Sequence, residues 1–255
     1  MKDKSSIGIK TLFISDQKDR KNMRFDKKSL LAIKKKIIGE KENLKKYCVG
    51  RKNSMKRPKF VFAGGINGSG KTTVLNLVVT NNKEISLIKG SEFFMKWLGI
   101  KMGDYKTLQK LPDREVLSEQ SKMIRHLVNK ESFGKSKKII IIDAHFINIR
   151  NGKAQEWVGD WMSMMHAMIL IKANSKDVLR RIKSDEKKST RDRNIFTKDA
   201  DSKYKIKSIE TFNKKSEQVF KRYARMYNKP NKTFLNGNEQ FIKVAENISR
   251  FLRSI

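Results

Sequence analysis

Residues 60–73 have the sequence Phe60-Val61-Phe62-Ala63-Gly64-Gly65-Ile66-Asn67-Gly68-Ser69-Gly70-Lys71-Thr72-Thr73. Apolar residues of strand character precede the pattern G-x-x-x-x-G-K-T, and a stretch of helical character follows it. The glycines leave room for successive backbone N–H groups to converge on phosphate oxygens, and the following helix directs its positive end at the same anion. The stretch therefore predicts a phosphate-binding loop between a strand and a helix.

The same pattern predicts the bound nucleotide and its metal ion. Lys71 is expected to reach the β- and γ-phosphates of ATP, and the Thr72 hydroxyl is expected to bind Mg²⁺. A glycine-rich turn that binds nothing is the alternative, but it does not require the strand, the spacing and the G-K-T triplet together. The expected ATP-binding residues are Gly65, Asn67, Gly68, Ser69, Gly70, Lys71, Thr72 and Thr73.

From residue 59 onward, short apolar runs alternate with helical stretches, which is typical of a parallel sheet covered by helices. The run at 139–142 consists of four isoleucines, is apolar on both faces, and is expected to form a central strand. We therefore predict an α/β P-loop NTPase fold in three layers. Strands are expected at 60–63, 85–88, 139–142, 168–172 and 233–235, and helices near 71–80, 92–98, 113–129, 155–165, 175–183, 203–228 and 238–253.

Asp143 ends the isoleucine run and is the candidate for the carboxylate that a phosphate-binding loop needs beside its metal ion. His145 follows two residues later and is expected at the same edge of the sheet. There it could orient the phosphoryl acceptor or Asp143. A loop histidine that only bonds a backbone carbonyl is the other interpretation, and the sequence leaves both open.

Arginines downstream of the loop are candidates for neutralising the transferred phosphoryl group, because phosphoryl transfer depends on positioning and charge stabilisation. Arg180 and Arg181 end one expected helix, and Arg191 and Arg193 follow in the polar stretch 185–194. A basic loop between two helices suits a lid that excludes water from the reaction. A solvated loop is the alternative interpretation.

The chain carries a large excess of positive charge. Its 255 residues include 59 Lys and Arg against 26 Asp and Glu, a formal net charge of +33. Residues 1–57 hold 19 of the basic and 6 of the acidic residues, and the composition changes at Pro58. We predict a basic, partly helical N-terminal extension over 1–57 and a kinase domain over 58–255. Such charge favours phosphate-bearing partners, including non-specific nucleic-acid contact, although a lysine-rich composition explains it equally well.

Cysteine content and hydropathy restrict the compartment in which the protein works. Cys48 is the sole cysteine, so neither an intramolecular disulfide nor a cysteine-rich zinc cluster can form. No apolar run approaches the roughly 20 residues that span a bilayer, and the N-terminus lacks the apolar core of a secretory signal. We therefore expect a cytoplasmic protein with no membrane partner.

Five stretches together make the chain similar to the archaeal-type adenylate kinases of the P-loop nucleoside monophosphate kinase superfamily. In order, they are the loop at 65–73, Gly90-Ser91-Glu92-Phe93, Leu111-Pro112 with the Gln120-containing helix, Asp143-Ala144-His145, and Arg180 with Arg191-Asp192-Arg193-Asn194. The resemblance covers residues 59–253. It implies a central five-stranded parallel sheet, an acceptor-binding helical insertion around 90–130, a short lid around 184–197, and homo-oligomers.

The resemblance also implies transfer of the γ-phosphoryl group from ATP to AMP. It implies catalytic residues Lys71, Asp143, Arg180, Arg191 and Arg193, metal ligands Thr72 and Asp143, and substrate-binding residues Ser91, Phe94, Lys106, Arg114 and His145. One departure bears on the acceptor, because the family's Asp-Arg-Asp setting is replaced by Gly103-Asp104-Tyr105-Lys106. An acceptor other than AMP therefore stays open.

Two further functions are compatible with the same residues. One is a P-loop kinase that acts on a nucleic-acid end or on another phosphorylated metabolite, such as a nucleotide sugar. The other is an ATP-binding protein associated with nucleic acid, in which residues 1–57 make the contact. The net charge of +33 motivates both alternatives.

Overall fold

A computed structural model describes residues 57–129, 138–150, 152–188, 195–196, 200–237 and 240–255. The expected extension up to residue 56 falls outside these ranges, as do Arg191, Arg193 and half of the expected lid at 184–197. The domain boundary at Pro58 stays a prediction.

Within the described ranges, five parallel strands form the central sheet and two further strands form a hairpin. The strands are β1 (Lys59–Gly64), β2 (Ile85–Lys89), β3 (Ile139–Asp143), β4 (Ile147–Arg150), β5 (Lys153–Glu156), β6 (Ala167–Lys172) and β7 (Asn231–Leu235). The sheet order is β2-β3-β1-β6-β7, and every neighbouring pair in it is parallel. The predicted five-stranded parallel sheet is confirmed, with the isoleucine-rich β3 inside it.

The α-helices of the described residues lie between these strands in the chain, except for the last, which follows β7. They are α1 (Lys71–Thr80), α2 (Gly90–Trp97), α3 (Tyr105–Lys110), α4 (Asp113–Asn129), α5 (Ser175–Lys188), α6 (Ser202–Met226) and α7 (Phe241–Arg253). Helix α3 was not predicted, because its six residues are too few to show helical periodicity. The Asp104 side chain caps its first turn by accepting a hydrogen bond from Thr107 N at 3.1 Å. No helix within the described ranges has the length and apolar character needed to cross a membrane.

Side chains of the sheet alternate between two apolar clusters, one on each face. One cluster contains Phe60, Phe62, Ile140 and Ile142, and the other contains Val61, Ala63, Ile139 and Ile141. Helices α4, α5 and α6 contribute buried side chains to the first cluster, while α1 and α7 contribute to the second. The sheet is therefore the middle of three layers, as predicted.

The predicted helix at 155–165 is wrong. Residues in this part of the chain form the end of an antiparallel β4–β5 hairpin, in which Ile147 pairs with Glu156, followed by a short 3-10 helix at Asp160–Met164. The hairpin turns at Gly152, which has φ 73°, and Gly159 is extended with φ −142°. The four-residue spacing of Trp157 and Trp161 imitated a helix, although the two residues do not share a helix face.

The hairpin is fastened to α6. Tyr223 Oη donates to Glu156 Oε1 at 2.7 Å, and Arg222 forms an ion pair with the same carboxylate. Burial raises the pKa of the Tyr223 hydroxyl, and the hydrogen bond to Glu156 raises it further. The phenol therefore stays protonated as a donor. This fastening fixes the segment that connects β3 to β6.

A second ion pair fastens α6 to the sheet itself. Lys172 Nζ, at the end of β6, lies 2.6 Å from Glu217 Oε2, and Lys221 Nζ lies 2.7 Å from Glu217 Oε1. Hydrogen bonds from these two ammonium groups, of which the one from Lys172 has the larger effect, hold the pKa of Glu217 below its ordinary value of 4.5. The carboxylate is therefore more easily ionised in the folded chain than in the unfolded one.

The Glu217→Gln variant is expected to lose less of its free energy of unfolding in acid than the wild type does. Because the pKa of Glu217 is lowered by folding, its contribution is present above 4.5 and is lost as the pH falls through the folded pKa. Urea unfolding at neutral pH and at about pH 3.5 should therefore show a smaller decrease for the variant than for the wild type. Glu246→Gln, which changes an exposed carboxylate on α7, is the control; identical decreases in Glu217→Gln and wild type would contradict the prediction.

Candidate active site

The phosphate-binding loop runs from the end of β1 to the start of α1, as the motif predicts. Gly65, Gly68 and Gly70 have positive φ angles of 152°, 79° and 79°. A side chain at Gly65 would also place its Cβ 2.2 Å from Ile171 O, and one at Gly70 would place its Cβ 2.3 Å from Asn236 Nδ2. Conformation and space both demand glycine here, since L residues rarely adopt these angles.

Side chains from separate elements hold the carbonyl oxygens of the loop. His145 Nδ1 lies 2.7 Å from Gly65 O, and Asn236 Nδ2 donates to Ser69 O at 2.8 Å. Because a carbonyl oxygen only accepts, His145 carries its proton on Nδ1. Longer contacts join Arg181 Nη1 to Gly68 O and Lys71 Nζ to Ile66 O, both at 3.4 Å.

These contacts orient the peptide groups of the loop. In a trans peptide the N–H points away from the C=O of the same unit. A donor that holds a carbonyl oxygen therefore also fixes the direction of the N–H in the same peptide unit, and the N–H groups of such a loop can bind an anion. Both interpretations of His145 are relevant, since it bonds a loop carbonyl and also lines the cavity described below.

Thr72 and Asp143 meet beside the loop. Thr72 Oγ1 donates to Asp143 Oδ2 at 2.7 Å, and Asp143 is 8% exposed. The contact follows from the parallel register of β1 and β3, which pairs Ala63 with Asp143. The Asp143 side chain thus reaches the first turn of α1 from the neighbouring strand.

The donor atoms of this pair fit a hard divalent cation. Mg²⁺ prefers oxygen ligands and keeps several waters, so it needs only one or two side chains together with substrate phosphates. A hydroxyl and a carboxylate oxygen, beside a loop that presents N–H groups, meet that requirement. Thr72 and Asp143 are therefore the residues that would hold Mg²⁺.

A cavity of about 920 Å³ extends from the loop toward α2 and α4. Its donor end is formed by Asn67, Gly68, Gly70, Lys71, Thr72, Thr73, Asp143, Arg180, Arg181 and Asn236. Its other part, which we call the acceptor half, has a mostly apolar and aromatic lining that includes Phe94, Leu108, Val116, Met123, Trp157 and Trp161. The two parts are continuous, so two substrates can meet inside one cavity.

The acceptor half contains some of the residues expected from the sequence and lacks another. Ser91, Phe94 and His145 line it. Arg114 is exposed on α4 and does not line the cavity. The side chain of Lys106 lies outside the described part of the structure. Gln120 Oε1 is buried at this surface and has no hydrogen-bond partner among the described residues.

The arginines have different surroundings. Arg180 lines the cavity and forms an ion pair with Asp177 at 3.1 Å, although its side chain is 63% exposed. Arg181 contacts the loop at Gly68 O. The sequence predicted Arg181 only as one of the arginines that could neutralise the transferred phosphoryl group, and did not predict this contact. Arg191 and Arg193 are outside the described residues, so their catalytic role stays a prediction.

Asn236 is a site residue that the sequence analysis missed. It is 3% exposed, it follows β7 directly, and its own N–H donates to Lys172 O at 2.7 Å. The carboxyl ends of parallel strands meet at one edge of the sheet, and ligands bind there. Polar residues just after a predicted strand, such as Asn236 after 233–235, are the signal that could have identified it.

Asn236→Ala is expected to weaken ATP binding about fivefold, because one hydrogen bond that orients the loop contributes about 1 kcal/mol. Asn236→Asp should weaken it more, since an acceptor would then face the carbonyl oxygen of Ser69. Calorimetric titration with ATP measures both effects. Asn82→Ala is the matched control, because Asn82 donates to Val78 O at the opposite end of α1. Equal losses of affinity in the Asn82 and Asn236 variants would contradict the assignment.

Thr72→Val is expected to reduce the gain in ATP affinity that Mg²⁺ provides by at least about tenfold, since it removes an oxygen ligand and keeps the shape. Thr72→Ser retains the hydroxyl and should keep most of the gain. ATP titrations with Mg²⁺ and with EDTA provide the comparison. An undiminished Mg²⁺ effect in Thr72→Val would remove Thr72 from the metal site.

Comparisons with known proteins agree with this geometry. The family model described as AAA domain matches residues 64–199. Shikimate kinase from Acinetobacter baumannii in complex with shikimate is 11% identical with a TM-score of 0.52, over 80% of this chain and 97% of that one. Shikimate kinase from Bacteroides thetaiotaomicron is 13% identical with a TM-score of 0.50, and the match covers 76% of this chain and 98% of that one. No curated protein matches the sequence.

The two structural similarities show the fold alone, which is a P-loop kinase-like fold. The family match has a wider consequence, since it extends over more than half of the 255 residues and includes the loop, Asp143 and Arg180. The chain therefore belongs to the AAA domain family of P-loop proteins.

Proposed function

We propose that the chain is an ATP- and Mg²⁺-dependent phosphotransferase whose acceptor is a nucleoside monophosphate, with AMP as the expected acceptor. The observation that carries the proposal is the single cavity that joins the phosphate-binding loop to an aromatic acceptor half. The Thr72–Asp143 pair belongs to the donor end of this cavity. The P-loop kinase-like fold supports a kinase reaction in general.

At the donor end, the loop and Lys71 bind the triphosphate. Loop N–H groups and the Lys71 ammonium neutralise the β- and γ-phosphate oxygens, and Arg180 approaches from α5. Bound Mg²⁺ would supply further neutralisation of the charge that develops on these oxygens. The buried positions of Lys71 and Asp143 keep both groups in place before ATP binds.

The reaction itself requires little covalent help from the protein. An ionised oxygen of the acceptor phosphate attacks the γ-phosphorus, the bond to the β,γ-bridging oxygen breaks, and ADP leaves with the electron pair of that bond. A phosphate oxygen is already a nucleophile, so no general base is needed. The residues contribute by aligning the two substrates and by excluding water.

The lining of the acceptor half favours a flat base over a carboxylated polyol such as shikimate. Phe94, Trp157 and Trp161 offer aromatic surface for stacking. Lys89 lines the cavity near α2, but its ammonium group forms an ion pair with Glu92 at 3.1 Å. Its charge is therefore already partly neutralised by a carboxylate of the chain. Gln120 Oε1 would accept a hydrogen bond from an amino group of a base.

Lys71→Ala is expected to lower ATP-dependent phosphorylation by at least about 100-fold without unfolding the chain, because it removes the buried cation at the transferred charge. Turnover is measured by coupled ADP release, and folding by circular dichroism. Lys176→Ala, an exposed change on α5, is the matched control and should keep full activity. Retained turnover in purified Lys71→Ala would contradict the proposal.

An acceptor panel tests the second half of the proposal. AMP, GMP, CMP, UMP, shikimate and an oligonucleotide with a free 5′ hydroxyl are each supplied with ATP and Mg²⁺. Fastest ADP formation with AMP supports the proposed acceptor. Faster ADP formation with GMP, CMP or UMP would keep a nucleoside monophosphate as the acceptor and would change only the identity of its base. Turnover restricted to shikimate or to the oligonucleotide would replace the proposed acceptor while leaving the donor site intact.

A further inference from the structure

Helix α6 carries a row of cations along its exposed side. The row, which we call the α6 cation row, consists of Lys203, Lys207, Lys214, Lys221 and Arg225, all exposed. Within Ser202–Met226 there are eight Lys and Arg against two Glu, a net charge of +6. Part of the net charge of +33 is therefore concentrated on one exposed helix face, apart from the cavity.

The row is straight and lies opposite the core. At 100° per residue its five members fall within an arc of about 40°, and the buried residues Ile209, Phe212 and Tyr223 fall on the other side of the helix. The first and last members are 22 residues apart, which corresponds to about 33 Å at 1.5 Å per residue. Glu210 and Gln218, both exposed, lie about 20° outside this arc, one on each side of it.

Few carboxylates neutralise this row. Lys221 pairs with Glu217 at 2.7 Å, whereas Lys203, Lys207, Lys214 and Arg225 form no ion pair with a carboxylate of the described residues. Neighbouring members are about 6 to 10 Å apart along the axis, close to the screening length of about 8 Å at physiological salt. The charges therefore repel one another when no partner is bound, and a polyanion would relieve the repulsion.

We propose that the α6 cation row binds the phosphodiester backbone of duplex nucleic acid, independently of base sequence. A linear row of cations matches a linear polyanion, whereas the donor end of the cavity suits a single triphosphate. Binding would release counterions from the duplex and would be salt-dependent. This surface is distinct from the cavity, so the proposal does not depend on phosphoryl transfer.

The surroundings of the row favour a duplex over a membrane surface or a single strand. A helix that binds lipid needs an apolar face to insert, but the apolar face of α6 is buried against the sheet. Binding of single strands relies on aromatic side chains that stack with bases. No member of the row is aromatic, and the exposed Tyr204 lies outside its arc.

The test compares two variants of the full chain that lose the same charge. The row variant replaces Lys203, Lys207, Lys214, Lys221 and Arg225 by Gln, which retains helix propensity. The control variant replaces five exposed lysines on other elements by Gln: Lys96, Lys101, Lys153, Lys176 and Lys243. Fluorescence anisotropy with labelled duplexes of about 25 base pairs, in DNA and RNA forms, is measured between about 50 and 200 mM salt.

We expect the row variant to bind duplex at least about tenfold more weakly at about 100 mM salt, with the salt slope reduced by up to about 4 units, and the control variant to stay within about threefold of the wild type. If one of the two duplex forms binds more tightly, that form, DNA or RNA, is the preferred partner of the row. Unchanged ATP affinity and circular dichroism establish that the row variant is folded.

Three results would overturn the proposal. Equal losses in the row and control variants would mean that net charge alone is responsible. An unchanged affinity of the row variant would place any binding elsewhere in the chain. Tighter binding of the wild type to single strands, or to vesicles containing phosphatidylserine, than to duplex would identify a different partner for the row.

Discussion

The donor site depends on one constraint, which is that the carbonyl oxygens of Gly65, Gly68 and Ser69 are held by side chains from outside the loop. His145 comes from the segment after β3, Asn236 from the segment after β7, and Arg181 from α5. Each is fixed by the sheet or by a helix packed on it. The order β2-β3-β1-β6-β7 supplies these supports from both sides of β1.

The acceptor half depends on a different kind of support. Its wall includes residues 147–149 of β4 and Trp157, which follows β5 directly. Glu156 fastens the β4–β5 hairpin to α6 through Tyr223 and Arg222. The donor site is thus built on the parallel sheet, while the acceptor half is built on added elements, α2 to α4 and the hairpin. Added elements can change without disturbing the loop, which explains why the donor is easier to infer than the acceptor.

The sequence predicted the elements that local patterns define. The loop, α1, α4 and the sheet follow from spacing and apolar runs, and Asp143 follows from the parallel-strand rule. The hairpin was missed because the spacing of Trp157 and Trp161 imitates a helix, and Asn236 because its role appears only when β7 lies beside β6. Arg114 was chosen for its charge, yet it points to solvent, since charge alone does not specify the direction of a side chain.

The hydrogen bond between Asn236 and Ser69 joins residues that are 167 positions apart in the chain. During synthesis, the loop leaves the ribosome long before its last support. The contact cannot form until β7 has been synthesised and has paired with β6. A loop that precedes most of the sheet in the chain thus acquires its last support only when β7 has joined that sheet.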